Sequence, residues 1–385
     1  MSTFSEKCPA HLYVHWPFCS KKCHYCDFVA FEQHSSYQDA YHQTLCGEVS
    51  SFSSMIHSTD KKIDTIFFGG GTPSLYPLDS LKEFWGVLNN SFDLSALQEA
   101  SLEVNPADVD EEKLDTWLEC GFNRLSIGVQ ALDDDLLLKL NRRQRILDVH
   151  NTMKIAPKYF KRMSVDLILG LPGISEAAWK RTLQEAVSWP IQHISIYFLT
   201  IHEKTPLYFK VQRGDILLPD DGNVVGMYDF TIDFLLQHNF AQYEISNFAK
   251  PGFESTHNQA YWERKPYKGF GIGSSSFDGK NRFVNDSNLE RYIAAYEKPA
   301  HHMFATQESL TAEQELLEKL MLGLRQPKGV GLHSVVYLLG DEKKELFLNQ
   351  VNKLKSASLL AEKDGKIFLT RKGMIFENEV VVGLI

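Results

Sequence analysis

Six short runs rich in β-branched and aromatic residues, HLYVHW (11–16), IDTIFF (63–68), SLEVN (101–105), RLSIGV (124–129), SVDLILG (164–170) and HISIYFL (193–199), alternate with helical patterns. Strands separated by helices do not pair as hairpins. They pair in parallel through right-handed crossovers that lay successive strands side by side. The helical patterns fall at about 35–50, 78–89, 111–119, 133–154 and 175–187, so the spacing predicts an α/β fold with a curved, partial (β/α)6 barrel. In parallel barrels the chemistry collects where strands end. The segments just after these strands hold the unusual residues: three cysteines, GGGTP, NP, VQ, GLPG and LT.

Beyond residue 200 the pattern loosens into EKTPLYFKVQRGDILLPDD, read as a long connector before a helix near 223–237. From about 306 the texture changes again. TAEQELLEKLMLGL reads as one helix, a second carries Leu346, Phe347, Val351 and Leu354 on one face, and LLAEKDGKIFLT reads as a hairpin turning at Asp364-Gly365. Two units are expected: residues 1–305 as barrel with an extension, and 306–385 as a small α+β domain resembling a winged helix. A length of 385 residues accommodates both.

Forty basic and 49 acidic residues give a net charge of −9 with no basic stripe, so nucleic acid is not an expected partner. No run approaches eighteen apolar residues and no charged-then-apolar leader opens the chain, so no transmembrane segment is expected and the cytoplasm is the expected location. Six cysteines in a chain this long do not make a disulfide framework. Cys8, Cys46 and Cys120 have no partner at ligand spacing and read as structural.

Cys19, Cys23 and Cys26 crowd into CSKKCHYCDF at C-x-x-x-C-x-x-C spacing, with Phe28 where a fourth thiol might stand. Tetrahedral zinc needs four ligands and would recruit His15 or His24. A [4Fe–4S] cluster held by three thiolates keeps one iron open for a chelating molecule, and Lys21 and Lys22 offset its negative charge.

The loop resembles the signature of radical S-adenosylmethionine (SAM) proteins. The resemblance implies that the open iron binds the amino and carboxylate groups of SAM, that Tyr25 packs the adenine, and that Gly70, Gly71 and Thr72 of GGGTP meet the SAM amino group. Glu103, at the end of its strand, is a carboxylate suited to a ribose diol or an ammonium. Gln130 and Asp166 are polar residues among buried strand residues, and Arg142 of NRRQ can pair a carboxylate. Tyr13, the three cysteines, Gly70 to Thr72, Glu103, Gln130, Arg142 and Asp166 together resemble the motifs of the oxygen-independent coproporphyrinogen oxidase-like subgroup over about residues 11 to 280, and the similarity extends into the C-terminal domain. That likeness places Tyr13, Gly70 and Glu103 near cluster-bound SAM, and Gln130, Arg142, Asp166 and Thr200 at a second SAM site.

The oxidase pattern is C-x-x-x-C-x-x-C-x-C, whereas Phe28 replaces the last cysteine here and is expected to pack against the barrel wall. The first strand also begins ten residues into this chain, where the oxidase carries a long arm. Both departures resemble the heme chaperones of the subgroup, as does HNQAYW, His257 to Trp262. His257 offers an imidazole for heme iron, and Tyr261 and Trp262 offer flat apolar surface. Ser275 and NRRQ depart from the histidine and GR-x-H found in the family at these places, which weighs against the second SAM site. The resemblance therefore implies a chaperone that binds heme, a [4Fe–4S] cluster and SAM and passes heme to an acceptor protein. An oxidative decarboxylase of coproporphyrinogen III and a radical SAM methyltransferase are the alternatives.

Overall fold

The computed structural model describes residues 4, 7–58, 60–295 and 305–385, apart from the side chains at 340–342. Six strands, β1 (His11–Trp16), β2 (Thr65–Gly70), β3 (Glu99–Val104), β4 (Arg124–Gln130), β5 (Arg162–Leu169) and β6 (His193–Phe198), stand side by side in chain order. Every neighbouring pair among them is parallel. The crossovers run through α1 (Gln38–Met55), α2 (Leu78–Ser91), α3 (Glu111–Glu119), α4 (Asp134–Lys139) with α5 (Ile146–Ile155), and α6 (Glu176–Ser188). The helix predicted over 133–154 is thus two. The break at Asn141, whose φ is +60°, turns Arg142 toward the barrel mouth.

The predicted connector contains a further helix, α7 (Pro206–Gln212), started by Thr205, whose hydroxyl accepts from the Tyr208 amide, and by proline in its first turn. It leads into α8 (Asp221–Gln237). Flanking strands widen the sheet on both sides: Asn247–Ala249 runs antiparallel to β6, and Tyr267–Phe270 runs parallel to β1. Beyond Tyr267–Phe270 lie Ser275–Phe277, Asn281–Val284 and Thr306–Ser309, each antiparallel to the one before. Between the two flanks, α9 (Thr256–Trp262) caps the N-terminal end of the barrel. The boundary expected at 305/306 directly follows residues 296–304, which lie outside the described residues, and Thr306–Ser309 pairs with the large sheet.

After α10 (Leu289–Ala295), helices α11 (Ala312–Leu324) and α12 (Leu332–Ser356) pack on the hairpin Leu360–Lys363 and Lys366–Leu369 around a core of their own that includes Leu320, Phe347, Val351 and Ile367. Asp364 and Gly365 both have positive φ, as a two-residue hairpin turn requires. Leu346 is 60% exposed and leaves the apolar face predicted for it, because Phe347 and Val351, one helical turn apart, take the inward positions. Arg264 and Arg282 reach Glu318 at 3.1 and 2.8 Å, and Arg325 reaches Glu244 at 3.1 Å while lying 4.6 Å above the Trp262 ring. These contacts tie the small α+β unit to the barrel.

A buried carboxylate fastens the crossover α1 to the flanking strand Tyr267–Phe270 and the segments that follow it. Glu48 accepts from Lys268 Nζ at 2.7 Å, the Gly271 amide at 2.8 Å, Asn285 Nδ2 at 2.8 Å and the Tyr292 hydroxyl at 2.7 Å. Both charged side chains are fully buried, so removing one leaves the other charge in a low-dielectric site. Glu48→Ala is expected to cost about 3–5 kcal/mol of stability, and Glu48→Gln, which keeps an acceptor oxygen, less. Calorimetry showing wild-type melting for Glu48→Ala would remove this network from the fold's supports.

Candidate functional site

A cavity of about 500 Å³ opens at the C-terminal ends of the strands. Cys19, Cys23 and Cys26 line it, together with Tyr25, Gly70, Gly71, Thr72, Glu103, Gln130, Arg142, Asp166 and Thr200. Strand ends spread over more than 140 residues of sequence are thereby brought to one place.

The cysteine loop is held from two sides. On one, the Thr72 amide donates to Phe18 O at 3.1 Å and its hydroxyl to Cys19 Sγ at 3.3 Å. On the other, the turn after α4 grips the loop: the His24 amide donates to Leu140 O at 3.0 Å, Asn141 Nδ2 to Lys22 O at 2.9 Å, and Arg142 Nη1 to Cys23 Sγ at 3.4 Å. Arg142 is itself fixed by Gly128 O at 2.8 Å and Gln144 Oε1 at 2.8 Å. Burial pushes the Cys19 thiol up and the Cys26 thiol up to about 11. Thiolates in this loop therefore call for a bound cation, and the hydroxyl and guanidinium aimed at two of the sulfurs suit anionic ligands. The donor set fits an iron–sulfur cluster.

The zinc alternative loses His15, one of its two expected fourth ligands. His15 bonds Tyr13 Oη at 3.0 Å and Val29 O at 2.8 Å through its two nitrogens, and burial lowers its pKa to about 4. His24 Nδ1 faces Lys139 O at 2.8 Å. Among the described residues no three His, Cys, Asp or Glu side chains converge on a position for a single metal ion.

Gly70 and Gly71 owe their identity to strand β1 as much as to any ligand. Gly70 has φ +117°, and a Cβ there would lie 2.6 Å from the His15 ring; one on Gly71 would lie 2.7 Å from Pro17 O. The close approach lets Gly70 N–H donate to Glu103 Oε2 at 3.1 Å. Burial, reinforced by nearby Asp166, raises Glu103 to about 8. Asp166 is likewise raised by burial, and accepts from the Ser126 hydroxyl at 3.1 Å. Two carboxyls that resist ionisation in one cavity are poised to receive a cationic group. Gln130 reaches the cavity from a backbone with φ +69°, at the irregularity where β4 ends against β5.

Two predicted residues stand elsewhere. Tyr13 lies beneath the cavity lining, stacked on Phe67, with its ring beside Gly69. His257 is at the opposite end of the barrel and has no exposed surface. Its Nδ1 meets Thr65 Oγ1 at 2.7 Å and its Nε2 meets Tyr261 Oη at 2.8 Å, so as folded it offers no free ring nitrogen to iron. Burial, with His11 and Arg124 nearby, lowers its pKa to about 3. Trp262 faces Arg325 of the C-terminal unit. Phe28 does not pack on the barrel wall: it is 63% exposed at the rim of the cavity. Sequence reasoning passed over Asn105, Ser126, Asn141, Tyr197 and His202, which also line the cavity. All but Asn141 lie on a barrel strand or within four residues after one, which is the signal that could have found them.

The radical SAM superfamily profile matches residues 13–186, and the HemN C-terminal domain profile matches residues 310–376. The heme chaperone HemW of Bacillus subtilis (strain 168) is 35% identical over 370 residues, covering 96% of this chain and 97% of that protein. The chain belongs to the HemW family. HemW of Lactococcus lactis subsp. lactis (strain IL1403) is 31% identical, over 97% of this chain and 96% of its own length. A radical SAM domain-containing protein 1, mitochondrial, of Danio rerio is 33% identical over 86% of this chain and 77% of its own. The fold is that of the Escherichia coli coproporphyrinogen III oxidase HemN, with a TM-score of 0.84 at 22% identity, over 99% of this chain and 91% of that one.

Glu103 supplies a pH test. Its folded value, about 8, lies above its ordinary 4.5, so between those values the folded chain binds more protons than the unfolded one and stability falls as pH rises. Glu103→Gln removes that loss. In the cluster-free chain its Tm is expected to exceed wild type by at least roughly 2–4 °C at pH 8.5, the equivalent of about 1 kcal/mol, with the gap closing toward pH 5. A gap that does not change with pH would place Glu103 in a wetter setting than the cavity provides.

Proposed function

We propose that this protein is a heme chaperone that binds heme, a [4Fe–4S] cluster and SAM and hands heme to an acceptor protein. The observation that carries the reading is the gathering of Cys19, Cys23 and Cys26 at one cavity with Gly70, Gly71, Thr72 and Glu103, in a chain alike over nearly its whole length to proteins named heme chaperones. Cys19, Cys23 and Cys26 hold the cluster, which supplies an open iron for SAM and a source of one electron. Tyr25 gives the adenine a flat wall. Glu103 and the Gly70 to Thr72 backbone meet the polar end of SAM, and Tyr13 supports them from below through the Gly69 contact. Arg142 counters the negative charge of the thiolates while bonded to Cys23. Gln130, Asp166 and Thr200 line the remaining wall and, with Arg142, form the candidate second SAM site.

Among the described residues no helix is long and apolar enough to cross a membrane. With the free cysteines, this supports work in the reducing cytoplasm. The net charge of −9 argues against nucleic acid as a partner.

Anaerobic reconstitution of the wild type is expected to give a brown protein with about four irons and four sulfides per chain, and Cys19→Ala, Cys23→Ala or Cys26→Ala to abolish it. Incubated with coproporphyrinogen III, SAM and a reductant, the chain is expected to leave both propionates in place, with or without Phe28→Cys, and to transfer bound heme to an apo-cytochrome. Protoporphyrinogen as product would replace the chaperone reading with the oxidase, and a methylated product would replace it with a methyltransferase. A colourless protein holding stoichiometric zinc would remove the cluster from either.

A further inference from the structure

Outside the cavity, a chain of rings runs from the foot of the cysteine loop to the surface. Trp16 stands three residues before Cys19, and its carbonyl accepts from the Gly71 amide at 2.7 Å. Its indole is fully buried, lies 5.0 Å from the Phe18 ring and stacks on Tyr76 at 3.8 Å with 15° between the planes. The Tyr76 hydroxyl meets His42 Nδ1 at 2.8 Å, and His42 Nε2 meets Glu83 Oε2 at 3.1 Å. Tyr76 and His42 are buried, whereas Glu83, on α2, is 58% exposed, so the series ends at solvent.

A carboxylate accepting the Nε2 proton leaves the Nδ1 lone pair facing the phenol. Tyr76 therefore donates to a base. Burial raises its phenol well above the ordinary range, so the ring keeps its proton until an electron leaves it. Tyr41 is the contrast: it too lies against Trp16, at 5.8 Å, but its hydroxyl donates to His15 O, and a carbonyl cannot carry a proton away. Trp16 Nε1 has no hydrogen-bond partner among the described residues. With no base to take its proton, an oxidised Trp16 stays a cation, able to draw an electron from the phenol stacked on it.

We propose that Trp16, Tyr76 and His42 form an escape path that carries an oxidising equivalent from the cysteine loop to the surface. This rests on the reading of Cys19, Cys23 and Cys26 as iron–sulfur ligands. Hydrogen peroxide that meets a ferrous iron yields ferric iron, hydroxide and a hydroxyl radical. The radical takes one electron from Trp16 and becomes hydroxide. Trp16 takes one electron from Tyr76, and the phenolic proton passes to His42 Nδ1, which leaves a neutral tyrosyl radical beside an imidazolium facing Glu83. A low-molecular-weight thiol at the surface then returns the electron to Tyr76 while His42 returns the proton. The proton lost by the thiol neutralises the hydroxide, so one hydroxyl radical and one thiol become water and a thiyl radical. The three cysteines are spared the oxidation.

The test uses the full-length chain in two preparations, read by freeze-quench electron paramagnetic resonance. In the reduced, cluster-loaded chain, hydrogen peroxide is expected to produce a tyrosyl signal that is lost in Tyr76→Phe and kept in Tyr41→Phe. His42→Gln, which can accept the phenol's hydrogen bond but cannot take its proton, is expected to lose the signal as well and to show more oxidised Trp16 by mass spectrometry. In the cluster-free chain, tryptophan-selective illumination with persulfate as electron acceptor is expected to give a tyrosyl signal that is diminished in Tyr76→Phe. A signal of wild-type size in Tyr76→Phe in both preparations would overturn the path, and one of wild-type size in His42→Gln would overturn the proton transfer. Illumination giving the Tyr76 signal while peroxide gives none would overturn the link to the cysteine loop. A chain that takes up no cluster would overturn the cluster reading, and the illuminated preparation alone would then decide the path.

Discussion

Parallel pairing is the constraint on which everything else depends. Two parallel strands cannot be joined by a tight turn, so each strand must return through a helix to the same starting edge. Five such returns place the ends of all six strands at one end of the barrel, and those ends and the loops after them carry the cysteines, the glycines, Glu103, Gln130, Asp166 and Thr200. No short-range property of the chain brings Cys19 near Asp166. The handedness and repetition of the crossovers do so.

The same constraint leaves a problem at the opposite end, where strands begin with polar residues facing inward. Glu99, buried at the start of β3, accepts from the Ser255 hydroxyl at 3.0 Å and the Thr256 amide at 2.9 Å. His193 is bonded to the Ser164 hydroxyl at 2.7 Å and to Tyr243 Oη at 2.8 Å. The first turn of α9 thus stabilises a buried carboxylate, and the carboxylate satisfies amides that would otherwise lack partners. HNQAYW is read most directly as the plug of this end, with His257 bridging Thr65 and Tyr261 and Trp262 touching the C-terminal unit.

Much of this was legible before any coordinates. Alternating hydrophobic runs and helical periods state the architecture because they follow from local geometry, and the spacing of Cys19, Cys23 and Cys26 keeps all three thiols in one loop. Legibility ended where a residue's state depends on distant partners. His257 looks available in sequence because its bond to Thr65 spans 192 residues. Phe28 was expected to pack inward on the strength of its hydrophobicity, but the loop that carries it is held by Lys22, Thr72 and Asn141 in a way that turns the ring outward. The break between α4 and α5 was hidden because the sequence on either side keeps its helical character. The start of α7 was readable, since Thr205 and Pro206 form an ordinary helix opening, yet it was overlooked inside what looked like a linker.

The plug at the base of the barrel decides from which end the cavity is reached: α9 covers the starts of the strands, and the cavity of about 500 Å³ opens at their ends. Cys19, Cys23 and Cys26 line that cavity together with residues from the strand ends, so a molecule that meets the thiols passes through the same end.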